Sequence, residues 1–373
     1  MTLRVLLDAT AIPRELTGVG HYVVNLIREL AGLEDLELHV TAKPTHLELL
    51  RREASPAHVH AVDVRTRPAR LRWEQTRLAP LGRRLGAQVI HSPHYTIPIA
   101  GRIPKVVTFH DPTFLTNPEL HERLKVAFFR RMIPLAARRA TRIIAVSEYS
   151  RRAVIEHAGA EPDRVDVVHL GVDRARYTPG GDPDADERLR ASLGVRSPYL
   201  FWVGTIEPRK NVPGLLTAFS SLVVSGMPDT LVLAGKAGWG RWEGERSLAR
   251  DEMARRLVLT GYVTEAQKIA LYRGARALVY PSLMEGFGLQ VLEAMACGCP
   301  VITTTRSAPQ EVGGDAVDLV EPGDPEALEK AIRRLVDDPR WGDELRRRGL
   351  QRVRSFGWDR TARETLQTYR LAA

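Results

Sequence analysis

Two acidic residues in the stretch "EGFGLQVLE", Glu285 and Glu293, are the first candidates for chemistry. The pattern places Glu285 in a loop after the predicted strand "ALVYPS" and Glu293 in the second turn of the predicted helix "LQVLEAMACG". Carboxylates in these positions are good acceptors for hydroxyl groups, as the acid of a dinucleotide-binding fold is for ribose. Nothing in the sequence fixes the two acids across a scissile bond, which disfavours a hydrolytic pair. A helix-capping Glu285 with a solvated Glu293 stays open as the structural alternative.

Two cations, Arg209 and Lys210, end the loop "GTIEPRKN" directly before the predicted helix "VPGLLTAF". A guanidinium fork, an ammonium and the positive end of a helix dipole together suit a phosphate or diphosphate. Only seven of the 54 basic residues are lysines, yet Lys210 and Lys236, in "AGKAGWG", occupy the first two strand-to-helix loops of the second half. Solvated surface charge is the alternative. Cations for a diphosphate and carboxylates for hydroxyls predict a nucleotide sugar as the ligand.

Gly18 and Gly20 precede a predicted helix in "TGVGHYVVNL", where glycines let a backbone approach a ligand. A G-x-G pair alone is a weak signal, because ordinary tight turns use it as often. The third glycine of the dinucleotide fingerprint is missing, and no G-x-x-x-x-G-K-[ST] occurs. The sequence therefore disfavours an NAD enzyme and a P-loop ATPase.

Strand-length apolar runs alternate with helical patterns twice along the chain, which predicts two doubly wound α/β domains with parallel sheets. Ligand loops then lie at the carboxyl ends of the strands, and a cleft between the domains is the expected place for a site. The punctuated stretch "TPGGDPDADE" predicts a linker. The predicted strands are residues 4–10, 36–42, 88–92, 105–110, 142–147 and 165–170, then 199–204, 230–235, 257–261, 277–282, 300–304 and 316–320.

Length and composition favour a globular, two-domain protein: the chain has 373 residues, 44% of them hydrophobic and 27% charged. The N-terminus lacks the pattern of a signal peptide, so a cytoplasmic location is expected. Cys297 and Cys299 are too few for a structural zinc site and predict reduced, buried thiols.

The net charge of +9 belongs to the first half, since residues 1–180 carry 27 Lys and Arg against 19 Asp and Glu. Much of it lies in residues 65–84 and 121–142, and the second segment mixes arginines with Phe128 and Phe129. Such a segment suits the anionic inner face of a membrane, whereas a helix with its apolar stripe on the core is the favoured interpretation. No aromatic platform or recognition motif accompanies the charge, so no nucleic-acid partner is predicted.

The motif around the two acids, "PSLMEGFGLQVLEAMACGCPVITT", resembles the E-x7-E signature of the retaining glycosyltransferases of family 4, which have the two-domain GT-B fold. The resemblance covers nearly the whole chain. Within the family, the sequence resembles the subgroup of bacterial O-antigen mannosyltransferases. The further motifs that carry it are "TGVGHY", "RWEQTRLAPL", "VIHSPHYTIP", "TFHDPTF", "AVSEYSRR", "HLGVD", "GTIEPRKN", "LAGKAGW", "TGYVTEAQKIALYRGARALVYPS" and "SFGWDRTARETLQTYR".

The resemblance assigns roles to individual residues. It implies that Glu285 binds the donor sugar and Glu293 the ribose, with Arg209 and Lys210 holding the diphosphate and His110 contacting the transferred sugar. The remaining donor-binding positions that it implies are Gly18, Gly20, Lys236, Tyr262, Val263, Phe287, Gly288 and Leu289. Tyr95 and Asp111 are expected on the acceptor side.

The domains that follow from this pattern are an acceptor-side domain over 1–180, a nucleotide-sugar-binding domain over 195–356, and a helix over 357–373 that crosses back to the first. One departure is Thr205, where many family members have an arginine, so Arg209 is interpreted as its replacement.

The expected reaction is metal-independent hexosyl transfer with retention, through front-face attack, to a glycan, lipid-linked or natural-product acceptor. GDP-mannose is the first choice of donor, ahead of UDP- and dTDP-hexoses. The D-x-D sequence at 182–184 lies in the predicted linker and is interpreted as chance rather than as a metal site. A sugar-nucleotide epimerase and a non-catalytic partner subunit stay open as alternatives.

Overall fold

The computed structural model describes residues 2–13, 16, 18–238 and 251–373. The chain divides into two compact units: unit 1 is Met1–Gly171 with Gly357–Ala373, and unit 2 is Val172–Phe356. The sequence placed residues 172–180 in the first domain, whereas the structure groups them with the second.

Unit 1 contains a seven-stranded parallel sheet in the order β3-β2-β1-β4-β5-β6-β7. The order reverses between β1 and β4, which is the topological switch point where doubly wound folds bind ligands. The short edge strand β3 was missed by the sequence analysis, because "HVHA" lacks the apolar run of a buried strand. The strands are β1 (Leu3–Asp8), β2 (Leu36–Ala42), β3 (His58–Ala61), β4 (Val89–Ser92), β5 (Lys105–Phe109), β6 (Arg142–Ala145) and β7 (Val165–Val167).

Unit 2 contains a six-stranded parallel sheet in the order β10-β9-β8-β11-β12-β13, so its switch point lies between β8 and β11. The prediction of two doubly wound parallel sheets is confirmed. The strands are β8 (Tyr199–Val203), β9 (Thr230–Ala234), β10 (Leu257–Gly261), β11 (Ala277–Tyr280), β12 (Val301–Thr304) and β13 (Asp318–Val320).

Helices connect the strands in both units. Those of the first part of unit 1 are α1 (Gly18–Ala31), α2 (Pro44–Glu53), α3 (Arg67–Trp73), α4 (Ala79–Arg84), α5 (Thr113–Thr116), α6 (Arg123–Arg139) and α7 (Glu148–Ala158). Those of unit 2 are α8 (Pro183–Ser192), α9 (Val212–Val224), α10 (Asp251–Arg255), α11 (Glu265–Gly274), α12 (Leu289–Ala296), α13 (Ala308–Gly313), α14 (Pro325–Asp337) and α15 (Pro339–Arg352). The last helix, α16 (Trp358–Ala372), belongs to unit 1.

Buried polar contacts hold α16 on unit 1. The Tyr369 hydroxyl lies 2.6 Å from Nδ1 of His91, and the Thr361 hydroxyl donates to the carbonyl of His169 at 2.8 Å. The chain passes so close to Gly171 that a Cβ there would overlap the backbone of Trp358. The return of the closing helix therefore depends on a glycine at this crossing.

The predicted linker is wrong in its second half, because residues 183–192 form α8. Asp182 caps this helix, its side chain accepting from the backbone N–H groups of Asp184 and Ala185 at 3.0 and 3.2 Å. Arg273 of α11 then pairs with Asp186 of α8 at 3.1 Å. The D-x-D sequence thus starts a helix, a role that its proline and N-cap aspartate fit.

Candidate functional site

The switch point of unit 2 brings together side chains from two separate loops. Arg209 and Lys210 form a short 3-10 turn after β8, and Glu285 lies in the loop after β11. Since β8 and β11 are hydrogen-bonded neighbours, their carboxyl ends place the two loops side by side. The cations and the first acid of the sequence motif therefore form one cluster, which sequence spacing alone did not predict.

Glu285 is bound by both cations. Its Oε1 lies 2.5 Å from Nζ of Lys210, and its Oε2 pairs with the guanidinium of Arg209, which also contacts Glu207 at 2.6 Å. Burial alone would raise the pKa of Glu285, but the charges of Arg209 and Lys210 outweigh it and lower this pKa to about 2. Glu285 is therefore ionised at neutral pH, and it does not cap a helix.

Tyr280, at the end of β11, completes this cluster and was missed by the sequence analysis. Its hydroxyl donates to Oε1 of Glu285 at 2.9 Å and is itself contacted by Nζ of Lys210. Lys210 and Glu285 are 5% and 6% exposed. Burial lowers the pKa of Lys210, and Glu285 opposes that effect. Buried charges of this kind persist when they are paired and hydrogen-bonded, as these are.

Glu293 lies on α12 in a second cluster. Nζ of Lys268 lies 3.0 Å from Oε1, and the hydroxyls of Tyr177 and Tyr272 donate to the carboxylate at 3.0 Å each. The alternative of a solvated Glu293 is wrong, because its side chain is only 13% exposed. Burial and the charge of Glu293 raise the pKa of Tyr272 well above its usual value, so this tyrosine stays a hydrogen-bond donor.

Lys268 is the cation of the second cluster, and its loss is expected to destabilise unit 2. It pairs with Glu293 at 3.0 Å and with Glu265 at 3.7 Å, its own side chain being 15% exposed. A Lys268→Met variant should lose about 3 kcal/mol of unfolding free energy, because a buried carboxylate is left without its counter-charge. Denaturant unfolding measures this.

The control for that variant is Lys125→Met, which breaks an exposed pair with Glu122. Surface pairs contribute about 0 to 1 kcal/mol, so this control should unfold close to the wild-type midpoint. Equal losses in both variants would contradict a buried role for Lys268.

The segment between the two acids supplies backbone rather than side chains. Phe287 is buried, Gly288 has φ +100 and Leu289 begins α12. A Cβ at Gly288 would lie 3.2 Å from the side chain of Pro309. The positive φ therefore favours glycine at this position, and the space for a side chain is small. Gly288 leads into the N-terminus of α12, and helix N-termini favour anions.

Three of the predicted donor-binding residues lie at the carboxyl ends of β9 and β10. Tyr262 is 60% exposed, and Nζ of Lys236 lies 5.3 Å from the centre of its ring. Val263 is buried beside it in sequence. The hydrogen-bonded pairing of β9 with β10 brings these loops together, and an exposed aromatic face beside a cation is suited to stacking on a planar ring.

In unit 1, His110 directly follows β5 and is 8% exposed. Its Nε2 lies 2.8 Å from the carbonyl of Pro93 and donates to it, which leaves Nδ1 as the acceptor nitrogen. Tyr22 packs edge-on against its ring, with the ring centres 4.6 Å apart. Burial lowers the pKa of His110 to about 4, the Pro93 carbonyl and Asp111 opposing it, so the ring is neutral at pH 7.

The glycines predicted for phosphate lie at the start of α1. A Cβ at Gly18 would meet nothing within 4 Å among the described residues, whereas one at Gly20 would lie 3.0 Å from Leu16. Among the described residues, Gly18 therefore has open space beside it, whereas a side chain at Gly20 would press on Leu16. The N-terminal turn of a helix suits an anion.

Tyr95 and Asp111, expected on the acceptor side, contact each other. Tyr95 adopts φ +52, is buried among aromatic rings, and its hydroxyl donates to the Asp111 carbonyl at 3.1 Å and accepts from the Asp111 N–H at 2.9 Å. A strained, buried tyrosine that fixes the backbone beside His110 is a supporting residue in this structure. Asp111 stays partly exposed.

Comparison with family models matches both halves of the chain. Residues 186–354 match the model described as Glycosyl transferases group 1, and residues 16–176 match the model described as Glycosyltransferase Family 4. The two matches include every site residue that was predicted from the sequence.

Two curated relatives illustrate the range of similarity. The chain is 30% identical to O-antigen chain mannosyltransferase B of Escherichia coli, over 99% of this chain and 100% of that protein. It is 35% identical to D-inositol 3-phosphate glycosyltransferase of Frankia alni over 62% of this chain and 59% of the relative.

Solved structures show the same fold. Anabaena HepE in complex with UDP and glucose superposes with a TM-score of 0.77 at 20% identity, over 98% of this chain and 99% of that one. WaaG, a glycosyltransferase involved in lipopolysaccharide biosynthesis, superposes with a TM-score of 0.69 at 16% identity, over 97% and 98% of the two chains.

Proposed function

The chain belongs to the glycosyltransferases that the group 1 and family 4 models describe, and from this premise we propose that it moves a hexose from a nucleotide sugar to an acceptor hydroxyl with retention. The observation that carries the proposal is the cluster of Arg209, Lys210 and Glu285 at the switch point of unit 2. It combines two cations for a diphosphate with one ionised acceptor for sugar hydroxyls.

The donor diphosphate competes with Glu285 for the two cations. Arg209 and Lys210 neutralise about two negative charges, which is the charge that the leaving group develops. The N-terminus of α12 at Leu289 adds backbone donors, with Phe287 and Gly288 before it. On this proposal no divalent metal is needed for departure of the nucleotide.

The remaining parts of the donor are assigned by the same reasoning. Glu293, held by Lys268 and two tyrosines, accepts the ribose hydroxyls, and Tyr262 stacks on the base beside Val263 and Lys236. We assign His110 of unit 1 to a hydroxyl of the transferred sugar, through its acceptor nitrogen Nδ1.

Transfer is proposed to occur on the front face of the sugar. The acceptor oxygen bonds to the anomeric carbon while the bond from that carbon to the phosphate oxygen breaks, and the departing phosphate takes the acceptor's proton. The electron pair of the broken bond stays on the diphosphate, where Arg209 and Lys210 stabilise it. The sequence resemblance and the mannosyltransferase relative favour GDP-mannose as donor, ahead of UDP- and dTDP-hexoses.

A thermal-shift screen of GDP, UDP, dTDP and ADP tests the proposal. The cognate diphosphate should raise the melting temperature by an amount that grows with its concentration, because it binds only the folded protein. Incubation of the protein with the hexose donor that carries the same nucleoside diphosphate should then release that nucleotide. Absence of any shift, together with absence of donor hydrolysis, would contradict the proposed function.

A glycan acceptor carried on a lipid would bring unit 1 to a membrane surface, and α6 is the segment that we assign to this contact. Its buried side packs on the core through Ile133, Ala136 and Ala137, while its arginines are exposed and Leu124 is 87% exposed. Among the described residues no helix is long and apolar enough to cross a membrane.

Anionic vesicles test this assignment. Sedimentation of the protein with phosphatidylglycerol vesicles should fall at high salt and in a variant with Arg130 and Arg131 replaced by glutamine, since each basic residue contributes about 1 kcal/mol near an anionic surface. Equal sedimentation of this variant and the wild type would exclude α6 as the contact.

A further inference from the structure

The switch point of unit 1 carries a polar cluster that the donor site does not use. Asp8 ends β1 and Ser92 ends β4, the two strands between which the order reverses. The register pairs Leu6 with Ile90, and side chains alternate along strands, so Asp8 and Ser92 point to the same side of the sheet. Ligands of doubly wound folds bind at this edge.

Asp8 is held by one of its two carboxylate oxygens. Oδ1 accepts from the Thr10 N–H at 2.9 Å, from the Thr10 hydroxyl at 2.7 Å and from the Thr41 hydroxyl at 2.9 Å. Within the described part of the chain no hydrogen bond reaches Oδ2, and the nearest cation is Nη1 of Arg70, at 3.7 Å. The orientation of the Asp8 carboxylate is thus fixed, and its Oδ2 can accept a hydrogen bond from a ligand.

Arg70 is the second fixed member of the cluster. Nη1 donates to Glu74 at 2.8 Å and Nη2 to the Thr96 hydroxyl at 3.1 Å, while Thr96 also donates to Glu74 at 2.7 Å. Glu74 is 1% exposed and begins a π-helical turn, Glu74–Leu78, a rare conformation that is frequent at functional sites. The guanidinium is thereby oriented beside Asp8.

Ser92 supplies an independent sign of a missing polar partner. It is 2% exposed, and its hydroxyl has no hydrogen-bond partner among the described residues. A buried hydroxyl without a partner is unfavourable, so proteins rarely retain one unless water or a ligand completes it.

The charges of the cluster nearly cancel. The two acids Asp8 and Glu74 are balanced by two cations, Arg70 and Lys43. Lys43 follows β2 and is partly buried. A balanced, hydrogen-bonding edge is poorly suited to a phosphate, for which an excess of cations is needed, and well suited to a neutral ligand with several hydroxyl groups.

We propose that this edge, formed by Asp8, Arg70 and Ser92, binds a neutral glycosyl unit of the acceptor. Oδ2 of Asp8 accepts from one sugar hydroxyl, the Arg70 guanidinium donates to its neighbour, and the Ser92 hydroxyl completes a third contact. The inference rests on the proposed function, and it names a polyhydroxylated acceptor in place of a phosphorylated or purely apolar one.

This edge lies next to His110. Nε2 of His110 donates to the carbonyl of Pro93, the residue that follows Ser92, at 2.8 Å. The acceptor edge is therefore adjacent to the residue assigned to the transferred sugar, as an attacking hydroxyl requires.

The test measures binding of methyl α-mannopyranoside to the full chain by saturation-transfer NMR, in the wild type and in two variants. Asp8→Asn keeps an oxygen for the Thr10 and Thr41 hydrogen bonds and changes only the second oxygen. Ser92→Ala removes the unpartnered hydroxyl. Each should weaken binding about tenfold while leaving the cognate diphosphate affinity unchanged.

Ser92→Ala separates a ligand contact from a structural role, because loss of an unpartnered buried hydroxyl should leave the melting temperature equal or higher. The control is Asp63→Asn, which removes an exposed carboxylate of the same unit. Wild-type affinity in both site variants, no binding of the glycoside by the wild type, or binding of glycerol phosphate at Asp8 instead, overturns the inference. Failure of the proposed function is distinct, since it would appear as loss of nucleotide binding in unit 2.

Discussion

Replacing Glu285 by glutamine is expected to tighten binding of the free nucleoside diphosphate by roughly 10-fold and to abolish hexosyl transfer. Glu285 pairs with both Arg209 and Lys210. A diphosphate that enters the cluster must displace or share this carboxylate, so removing the charge removes a competitor and a repulsion of about 1.4 kcal/mol or more. Calorimetric titration with the diphosphate measures the gain.

The same variant should be less stable without ligand. The pKa of Glu285 lies about 2 in the folded protein, below the ordinary 4.5, so ionisation of this group stabilises the fold by about 3 kcal/mol at neutral pH. This contribution is fully present above the pKa that Glu285 has in the unfolded protein, and it is lost as the pH falls toward the pKa of Glu285 in the folded protein. The difference in melting temperature between wild type and Glu285→Gln should therefore be constant near neutrality and shrink between about pH 4.5 and pH 2.

Glu207→Gln is the matched control. In the described part of the chain the Glu207 side chain pairs with Arg209 and not with the Lys210 ammonium, whereas only the Glu207 backbone carbonyl accepts from the Lys210 N–H, at 2.9 Å. It should change diphosphate affinity less and retain transfer. A weaker diphosphate affinity in Glu285→Gln would show that this carboxylate supports the nucleotide instead of competing with it.

The fold was largely predictable because both sheets are parallel and their central strands are buried. The runs 199–204 and 277–282 contain strands β8 and β11, whose residues are all buried and apolar, since a strand covered on both faces is apolar throughout. The edge strand β3 and helix α8 were not predictable in this way. The strand β3 is polar. Helix α8 has a charged sequence, and its packing on α11 depends on the pairing of its Asp186 with Arg273, which is distant in sequence.

The sequence predicted which residues belong to the candidate site, but it did not predict which of them contact each other. Loop positions identified Arg209, Lys210 and Glu285, but their mutual pairing depends on which strands are neighbours. Tyr280 and Lys268 were missed because a tyrosine in a buried strand and a lysine in a helix look structural. The available signal was that Lys268 is one of few lysines in an arginine-rich chain.

Replacing Lys210 by methionine is expected to reduce the turnover number by about 10²- to 10³-fold. Its ammonium is a preorganised charge in a buried position, and such a group contributes most where the leaving group develops charge. Methionine preserves most of the side-chain volume, so the loss of turnover measures the contribution of the Lys210 charge. Single-turnover kinetics with saturating donor separate this effect from binding.

The variant should also lose stability, because Glu285 and Tyr280 lose a buried partner. Lys330→Met, at an exposed position of α14, is the control and should behave as wild type.

A double-mutant cycle separates the two roles of Lys210. If Lys210 and Glu285 compensate each other, Lys210→Met with Glu285→Gln should cost less stability than the sum of the single variants, since the second change removes the charge that the first left unpaired. Transfer should stay lost in the double variant, because the diphosphate still lacks its cation. Additive stability losses would show that the two side chains act independently, and recovery of turnover would show that Lys210 serves only to hold Glu285.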